Sequence, residues 1–221
     1  MSAPVQGNGK KLVFVGDSGV GKTCIISRFL KGTFNSSQLT TDGASYASKT
    51  IEIPEINEHL TFEIWDTAGQ ERYRSLTKFF FQGARMAILV YDITRKESYD
   101  SMKNDWYKQL KDYADPDIII GIAGNKSDLY DEEAVSEQEA RDFAKSIGAV
   151  FGLTSAQGNT GINELFKDMA IKFLSVNSDI NEQDPSKPQP KPQSKSQKEE
   201  KSNNIVIGKT PVETKPKKNC C

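Results

Sequence analysis

Apolar and polar positions along the first 175 residues follow two periods in alternation. Leu12–Val15 is a short apolar run that ends at Gly16 and predicts a buried strand. Lys22–Leu30 follows it, with Ile25, Ile26, Phe29 and Leu30 on one helical face. Ala47–Ile53 alternates weakly, as an edge strand does, and Thr61–Trp65 reads as a strand returning antiparallel to it. Met86–Tyr91 and Ile118–Ala123 are near-continuous apolar runs, the pattern of strands covered on both faces. Tyr99, Met102, Trp106, Leu110 and Tyr113 fall at helical spacing and predict a core-facing stripe. Ser136-Glu137-Gln138-Glu139 is a capping box, followed by Ala140, Phe143, Ala144 and Ile147, with Gly148 as a stop. Ala149–Leu153 predicts a last strand, and Ile162, Leu165, Phe166, Met169, Ala170 and Phe173 a last amphipathic helix. Strands alternating with helices imply an α/β fold, a mostly parallel six-stranded sheet with helices on both faces. Ligands of such sheets sit at the C-terminal ends of the strands.

Composition changes after Ser175. The last 46 residues hold six of the nine prolines, nine lysines and six acids, a local charge of +3. Apart from Ile205-Val206-Ile207 this segment has almost nothing to bury, so it cannot offset its ordering entropy. The expected organisation is a disordered N-terminus over 1–8, one domain over 9–175 and a disordered tail over 176–221. The whole chain has a net charge of -1, which argues against a dedicated nucleic-acid binder. Its apolar runs are far shorter than the ~20 residues of a membrane helix. Met1–Lys11 shows no secretory h-region, and Ser2 argues against N-myristoylation. Three cysteines, two of them at positions 220 and 221, form no disulfide framework and point to a reducing, cytosolic compartment.

Candidate chemistry gathers at predicted strand ends. Gly16-Asp17-Ser18-Gly19-Val20-Gly21-Lys22-Thr23 fits Gly, four residues, Gly-Lys-Ser/Thr, between a predicted strand and a predicted helix. Backbone N–H groups of such a loop, through Ser18, Gly19, Val20 and Gly21, converge on phosphate oxygens, and the helix N-terminus adds positive potential. Lys22 would reach the β- and γ-phosphates, Thr23 would ligate Mg²⁺, and the Cys24 N–H would touch the α-phosphate. Asp66-Thr67-Ala68-Gly69-Gln70 follows the strand Thr61–Trp65. Asp66 can hold Mg²⁺ through a water, Gly69 can offer its N–H to a γ-phosphate, and Gln70 can orient the attacking water. Asn125-Lys126-Ser127-Asp128 follows another strand. The Asp128 carboxylate can accept from guanine N1–H and its 2-amino group, donors that adenine lacks. Asn125 can bridge base and neighbouring loops, and the Lys126 stem can lie along the ring. Thr154-Ser155-Ala156 follows the last strand, where backbone N–H groups can meet guanine O6.

With these motifs in order, the chain resembles a small GTPase of the Ras superfamily, of the Rab type, over residues 9–175. Trp65-Asp66-Thr67-Ala68-Gly69-Gln70-Glu71-Arg72-Tyr73-Arg74-Ser75-Leu76-Thr77 is similar to the Rab switch II signature, and Phe79-Phe80-Phe81-Gln82-Gly83-Ala84 to the segment after it. The resemblance implies a GTP-bound state that recruits effectors to a membrane and a GDP-bound resting state. It implies slow GTP hydrolysis that depends on Gln70 and Lys22, with Mg²⁺ held by Thr23, Thr41 and Asp66. It places Phe34 edge-on to the guanine, with Ser155, Ala156 and Gln157 near the base. Tyr46, Trp65 and Phe80 would form the aromatic triad that effectors read. Implied partners are GTP and GDP, an exchange factor, a GTPase-activating protein, a GDP-dissociation inhibitor, a prenyltransferase with its escort protein, and effectors; nucleic acid is not expected, and the chain would act as a monomer. Cys220-Cys221 resembles the Rab substrate for two geranylgeranyl chains, and two lipids anchor stably where one does not. The implied location is the cytoplasmic face of endomembranes, with cycling through the cytosol.

Four positions depart from the family pattern. Asp42 stands where Ile is usual, Gln157 replaces a Lys, Leu153 a Glu and Gln82 an Arg. Ser18 and Asp42 keep open an alternative, a GTP-dependent binding module with little hydrolysis. A small-molecule phosphotransferase would need an Arg-rich lid, which is not seen. His59 reads as a solvated loop residue between the hairpin strands, Arg72 as a partner-contacting residue, and Asp131-Glu132-Glu133 as a solvated loop.

Overall fold

Six strands, β1 (Lys10–Val15), β2 (Ala44–Ile53), β3 (Glu58–Thr67), β4 (Met86–Asp92), β5 (Ile119–Asn125) and β6 (Val150–Thr154), form one sheet in the order β2-β3-β1-β4-β5-β6. The structure, a computed structural model, describes residues 9–36, 44–67 and 77–182. β1 pairs in parallel with β3 on one side and β4 on the other. β5 and β6 continue the parallel array, while β2 is an antiparallel edge. The chain leaves β1 toward β3 and later returns to its other side as β4. The C-terminal end of β1 is therefore a topological switch point, where open α/β sheets form their ligand crevice.

Burial alternates along β1 between two faces, as period 2 requires. Leu12 and Phe14 join Ile25 and Phe29 of α1 (Lys22–Lys31) and Phe166 and Met169 of α6 (Ile162–Glu182). Phe29 stacks on Phe166 with ring centroids 3.5 Å apart. Val13 and Val15 face the opposite layer, with Phe81 of α2 (Thr77–Phe81), Tyr99 of α3 (Lys96–Ser101), Leu110 of α4 (Tyr107–Tyr113) and Ala140 and Ala144 of α5 (Glu137–Ser146). Half of the predicted capping box forms: the Ser136 hydroxyl accepts the Glu139 N–H at 3.2 Å, while the Glu139 carboxylate pairs with Lys96 Nζ at 2.7 Å. Both apolar stripes of the sequence thus find a side of the same sheet. Among the described residues, no helix is long and apolar enough to cross a membrane.

Four details differ from the sequence pattern. His59 lies in β3 opposite Glu52, not in a loop. The reversal is made earlier, by the 3₁₀ turn Pro54–Ile56 and by Asn57 at φ 52, a left-handed conformation that Asn tolerates. The stripe from Tyr99 to Tyr113 is not one α-helix. Met102–Trp106 is a π-turn between α3 and α4, and Tyr113 is exposed beyond it. Of the acidic trio, Asp131 and Glu132 belong to a 3₁₀ helix, Ser127–Glu132. The composition change at Ser175 falls inside α6, which continues to Glu182.

Candidate functional site

A cleft of about 350 Å³ opens where the switch point predicts it. One wall is the phosphate-loop candidate, through Ser18, Gly19, Gly21, Lys22, Thr23 and Cys24. Opposite lie Asn125, Lys126 and Asp128 after β5, and Ala156 and Gln157 after β6. Phe34 closes one side, after α1. Val20, predicted beside these residues, does not line the cleft; its side chain is fully buried in the core. Thr67, from the motif that begins at Asp66, also lines the cleft, as do Asn35, Ser36 and Leu129, which no motif contained.

The loop conformation follows from its glycines and from donors that hold its carbonyls. Gly21 has φ 98, and a Cβ there would collide with the Asn125 amide nitrogen. That nitrogen donates to the Val20 carbonyl at 2.8 Å, while Thr154 donates to the Asn125 Oδ1 at 3.2 Å. Lys22 Nζ donates to the carbonyls of Gly16 at 2.8 Å and Asp17 at 2.9 Å. Arg95 Nη2 donates to the Ser18 carbonyl at 3.1 Å. Burial pushes the Lys22 ammonium down to about 8, although Asp66 and Asp17 pull the other way; Arg95 adds to the lowering. A desolvated cation in a wall of backbone N–H groups is built to be compensated by an anion.

Thr23 and Asp66 meet at the floor. Thr23 Oγ1 donates to Asp66 Oδ2 at 2.6 Å. Asp66 Oδ1 is buried and has no hydrogen-bond partner among the described residues. Burial raises the Asp66 pKa, and the Thr23 hydrogen bond and Lys22 offset this only in part. An under-satisfied carboxylate beside a hydroxyl is a fitting donor pair for a hard, hydrated cation such as Mg²⁺, which takes few protein ligands and several phosphate and water oxygens. No group of three or more His, Cys, Asp or Glu among the described residues offers a more complete protein cage.

The base side is ordered by side-chain contacts. Ser155 donates its hydroxyl to Asp128 Oδ1 and accepts the Gly158 N–H at 2.6 Å, which fixes the carboxylate's direction. Lys126 sits at φ 67, an uncommon conformation for a residue with a side chain, and its ammonium lies 2.6 Å from Asp92. Arg28 is a residue that pattern reading missed. Its guanidinium donates to the carbonyls of Ala156 at 2.8 Å and Gln157 at 3.2 Å and sits 5.9 Å from the Phe34 ring centroid. Only its tertiary contacts distinguish it from an ordinary α1 residue. Burial raises the Cys24 thiol pKa, so the side chain stays a neutral packing group.

Away from the cleft, Tyr46 and Trp65 meet edge-to-face, centroids 5.5 Å apart, on neighbouring strands β2 and β3. Tyr46 is exposed, and Lys11 Nζ lies 4.9 Å over the Trp65 ring. Phe80 is half-buried, while Phe79, to which the resemblance gave no role, is exposed. Thr41, Asp42, Gly69, Gln70 and Arg72, like Cys220 and Cys221, lie outside the described residues.

The model of the Ras family matches residues 11–175. The Ras-related protein Rab-22A of Homo sapiens is 43% identical over 170 residues, which cover 77% of this chain and 86% of that protein. The Ras-related protein Rab5 of Nicotiana tabacum is 44% identical over 163 residues, 74% of this chain and 80% of that protein. The chain is a Rab-family small GTPase. It is a GTP hydrolase of that family, and its six-stranded sheet is the Ras-type G domain. In this GTPase, the matched segment begins at Lys11 in β1 and contains the whole cleft lining.

Proposed function

We propose that this GTPase is a GTP/GDP switch that recruits effector proteins to endomembranes in vesicle trafficking. The observation that carries this reading is a cleft in which the phosphate loop, Thr23 with the buried Asp66 as its partner, and Asp128 converge. Lys22 and the N–H groups from Ser18 to Thr23 would hold the phosphates, with the Cys24 N–H at the α-phosphate. Asp128, aimed by Ser155, would accept two hydrogen bonds from guanine, with Asn125 bracing the loops and the Ala156 and Gln157 segment near O6. Phe34, supported by Arg28, would flank the base, and the Lys126 stem would lie along its face.

Mg²⁺, which the Thr23–Asp66 pair fits and to which Thr41 would add a hydroxyl, would neutralise phosphate charge when bound. Gln70 would orient the attacking water, and Gly69 would offer its N–H to the γ-phosphate. Stabilisation of the developing charge by Lys22 and the loop N–H groups is the expected source of rate. Slow intrinsic turnover would be stimulated by an activating protein and reset by an exchange factor. Tyr46, Trp65 and Phe80 would form the surface that effectors read. Geranylgeranyl groups on Cys220 and Cys221, added by a prenyltransferase with its escort protein, would anchor the chain to the cytoplasmic face. A GDP-dissociation inhibitor would return it to the cytosol.

The test has two parts. Labelled GTP is bound by the purified chain in competition with unlabelled GTP or ATP, and GTP competes while ATP does not. Chain loaded with a non-hydrolysable GTP analogue or with GDP is then used to capture proteins from a membrane extract. Nucleotide-dependent capture supports the switch; equal competition by ATP, or identical capture in both states, overturns it.

A further inference from the structure

The phosphate loop is held from the helical layer as well as from the sheet. Ser101 Oγ and Trp106 Nε1 both donate to one oxygen of the Asp17 carboxylate, each at 2.8 Å. Ser101 ends α3, and Trp106 ends the π-turn Met102–Trp106. Residues five apart on an α-helix point about 140° away from each other, at 3.6 residues per turn. They converge here because the π-turn's wider i to i+5 closure returns the chain to the same face after five residues. Single π-turns in otherwise α-helical stretches are uncommon and cluster at functional positions.

Asp17 is the second residue of the loop, so what grips its side chain also orients the adjoining peptides. The carbonyls of Gly16, Asp17, Ser18 and Val20 are all taken by donors, Lys22, Arg95 and Asn125. With those carbonyls held, the loop's N–H groups are left to face the cleft. The Asp17 charge also supports the protonated form of Lys22. Trp106 is otherwise packed among Tyr99, Met102 and Leu110, all buried.

We propose that the π-turn is a positioning device for the phosphate loop, in which Ser101 and Trp106 hold Asp17 so that bound nucleotide is released slowly. This rests on the phosphate-loop reading above. Trp106→Phe removes the N–H and keeps an aromatic ring, at the cost of some buried volume for which a core cavity elsewhere in the layer is the control; Ser101→Ala removes the second donor. A half-buried charged acceptor that loses its donors is left less satisfied, and the loop is freer to move.

The experiment measures release of fluorescent GDP from full-length parent, Ser101→Ala, Trp106→Phe, the double variant and Leu110→Ala. Leu110→Ala opens a cavity in the same helical layer without touching the loop. The expected result is release about tenfold faster in the double variant, with intermediate single variants, as for loss of a charge-assisted hydrogen bond. Leu110→Ala lowers the melting temperature at least as much but releases GDP at the parent's rate. Parent-like release in the double variant overturns the proposal. So does equal acceleration in Leu110→Ala, which would make the contact merely structural. Failure of the parent to bind GDP at all overturns the phosphate-loop reading instead. The single variants keep the test valid should the double variant not fold.

Discussion

Lys126 and Asp92 form an ion pair, 2.6 Å from Nζ to Oδ2, that joins the end of β4 to the loop after β5. The Asp92 side chain is buried, and the Lys126 side chain is about one-third exposed, at 35%. Thr94 adds its hydroxyl at 2.8 Å and its N–H at 3.0 Å to Asp92 Oδ1. Arg95, whose Nε lies 3.4 Å from Asp92, reaches on to the Ser18 carbonyl. A short chain of charges thereby links the base loop to the phosphate loop. Burial alone would raise the Asp92 pKa, but Lys126 and Thr94 outweigh it and leave it below the usual carboxylate value.

Asp92→Asn should destabilise the chain by about 1–2 kcal/mol at pH 7, less than a fully buried pair because Lys126 is partly solvated. A carboxylate with a lowered folded pKa stabilises above its unfolded value and loses that contribution as pH falls through the folded one. The parent's advantage should therefore be full at neutral pH and shrink below the ordinary value of 3.8. Urea unfolding of both proteins at pH 7 and pH 3 measures it. An equal difference at the two pH values would exclude the ionised pair as its source.

Asp128→Asn turns one acceptor into a donor that faces guanine donors. GTP affinity should fall by about 10² or more, since unpaired buried donors cost a few kcal/mol. Xanthosine triphosphate, with a carbonyl in place of the amino group, should gain affinity. Competition binding with the two nucleotides decides it; unchanged GTP affinity would remove Asp128 from the base site.

Lys22 at about 8 must be protonated when it meets phosphate. Its folded value is lowered, so the nucleotide-free protein has partly lost the proton above that pH. An anion beside it raises the value, and binding takes the proton back. At pH 8.5 GDP binding should take up a measurable fraction of a proton, from the linkage of charge and binding. Calorimetry in buffers of different ionisation heats reads this number. In Lys22→Arg, where the guanidinium is always protonated, the uptake should vanish.

Gln70→Leu keeps the volume and removes both polar ends. Nucleotide binding should persist while activator-stimulated turnover drops by at least tenfold, because the attacking water loses its positioner. Single-turnover hydrolysis with and without activator is the assay. Parent-like stimulated turnover would refute the role.

Cys220→Ser with Cys221→Ser should give a chain that binds GTP normally and does not float with membranes. The +3 tail contributes only about 1 kcal/mol per cation near an anionic surface, and salt screens it. Each single variant should float weakly, as one lipid gives marginal binding. Flotation, with mass spectrometry of the C-terminal peptide, checks both; a floating double variant would sink the anchoring claim.

The sequence alone determined the order of elements and the chemistry at their ends. Apolar runs such as Met86–Tyr91 report burial on both faces, and Gly16–Thr23 announces a phosphate loop locally through its glycines and helix start, although Arg95, Asn125, Ser101 and Trp106 complete its hold from far along the chain. The meeting of Thr23 with Asp66, 43 residues apart, could be expected because both follow parallel strands that share a crevice. Other features have no local signal. Arg28 reads as one more helix cation until the loop at Ala156 docks against it, and the identity of its acceptors depends on a chain segment 128 residues away. The stripe Tyr99, Met102, Trp106, Leu110 fits an α-helix in the sequence, yet the chain forms a π-turn there. Hydrophobic spacing is satisfied by either winding, and what distinguishes them here is where the Ser101 hydroxyl and the Trp106 N–H find Asp17. Periodicity records which side chains are buried, whereas the partner of a buried polar group is chosen only when distant segments pack.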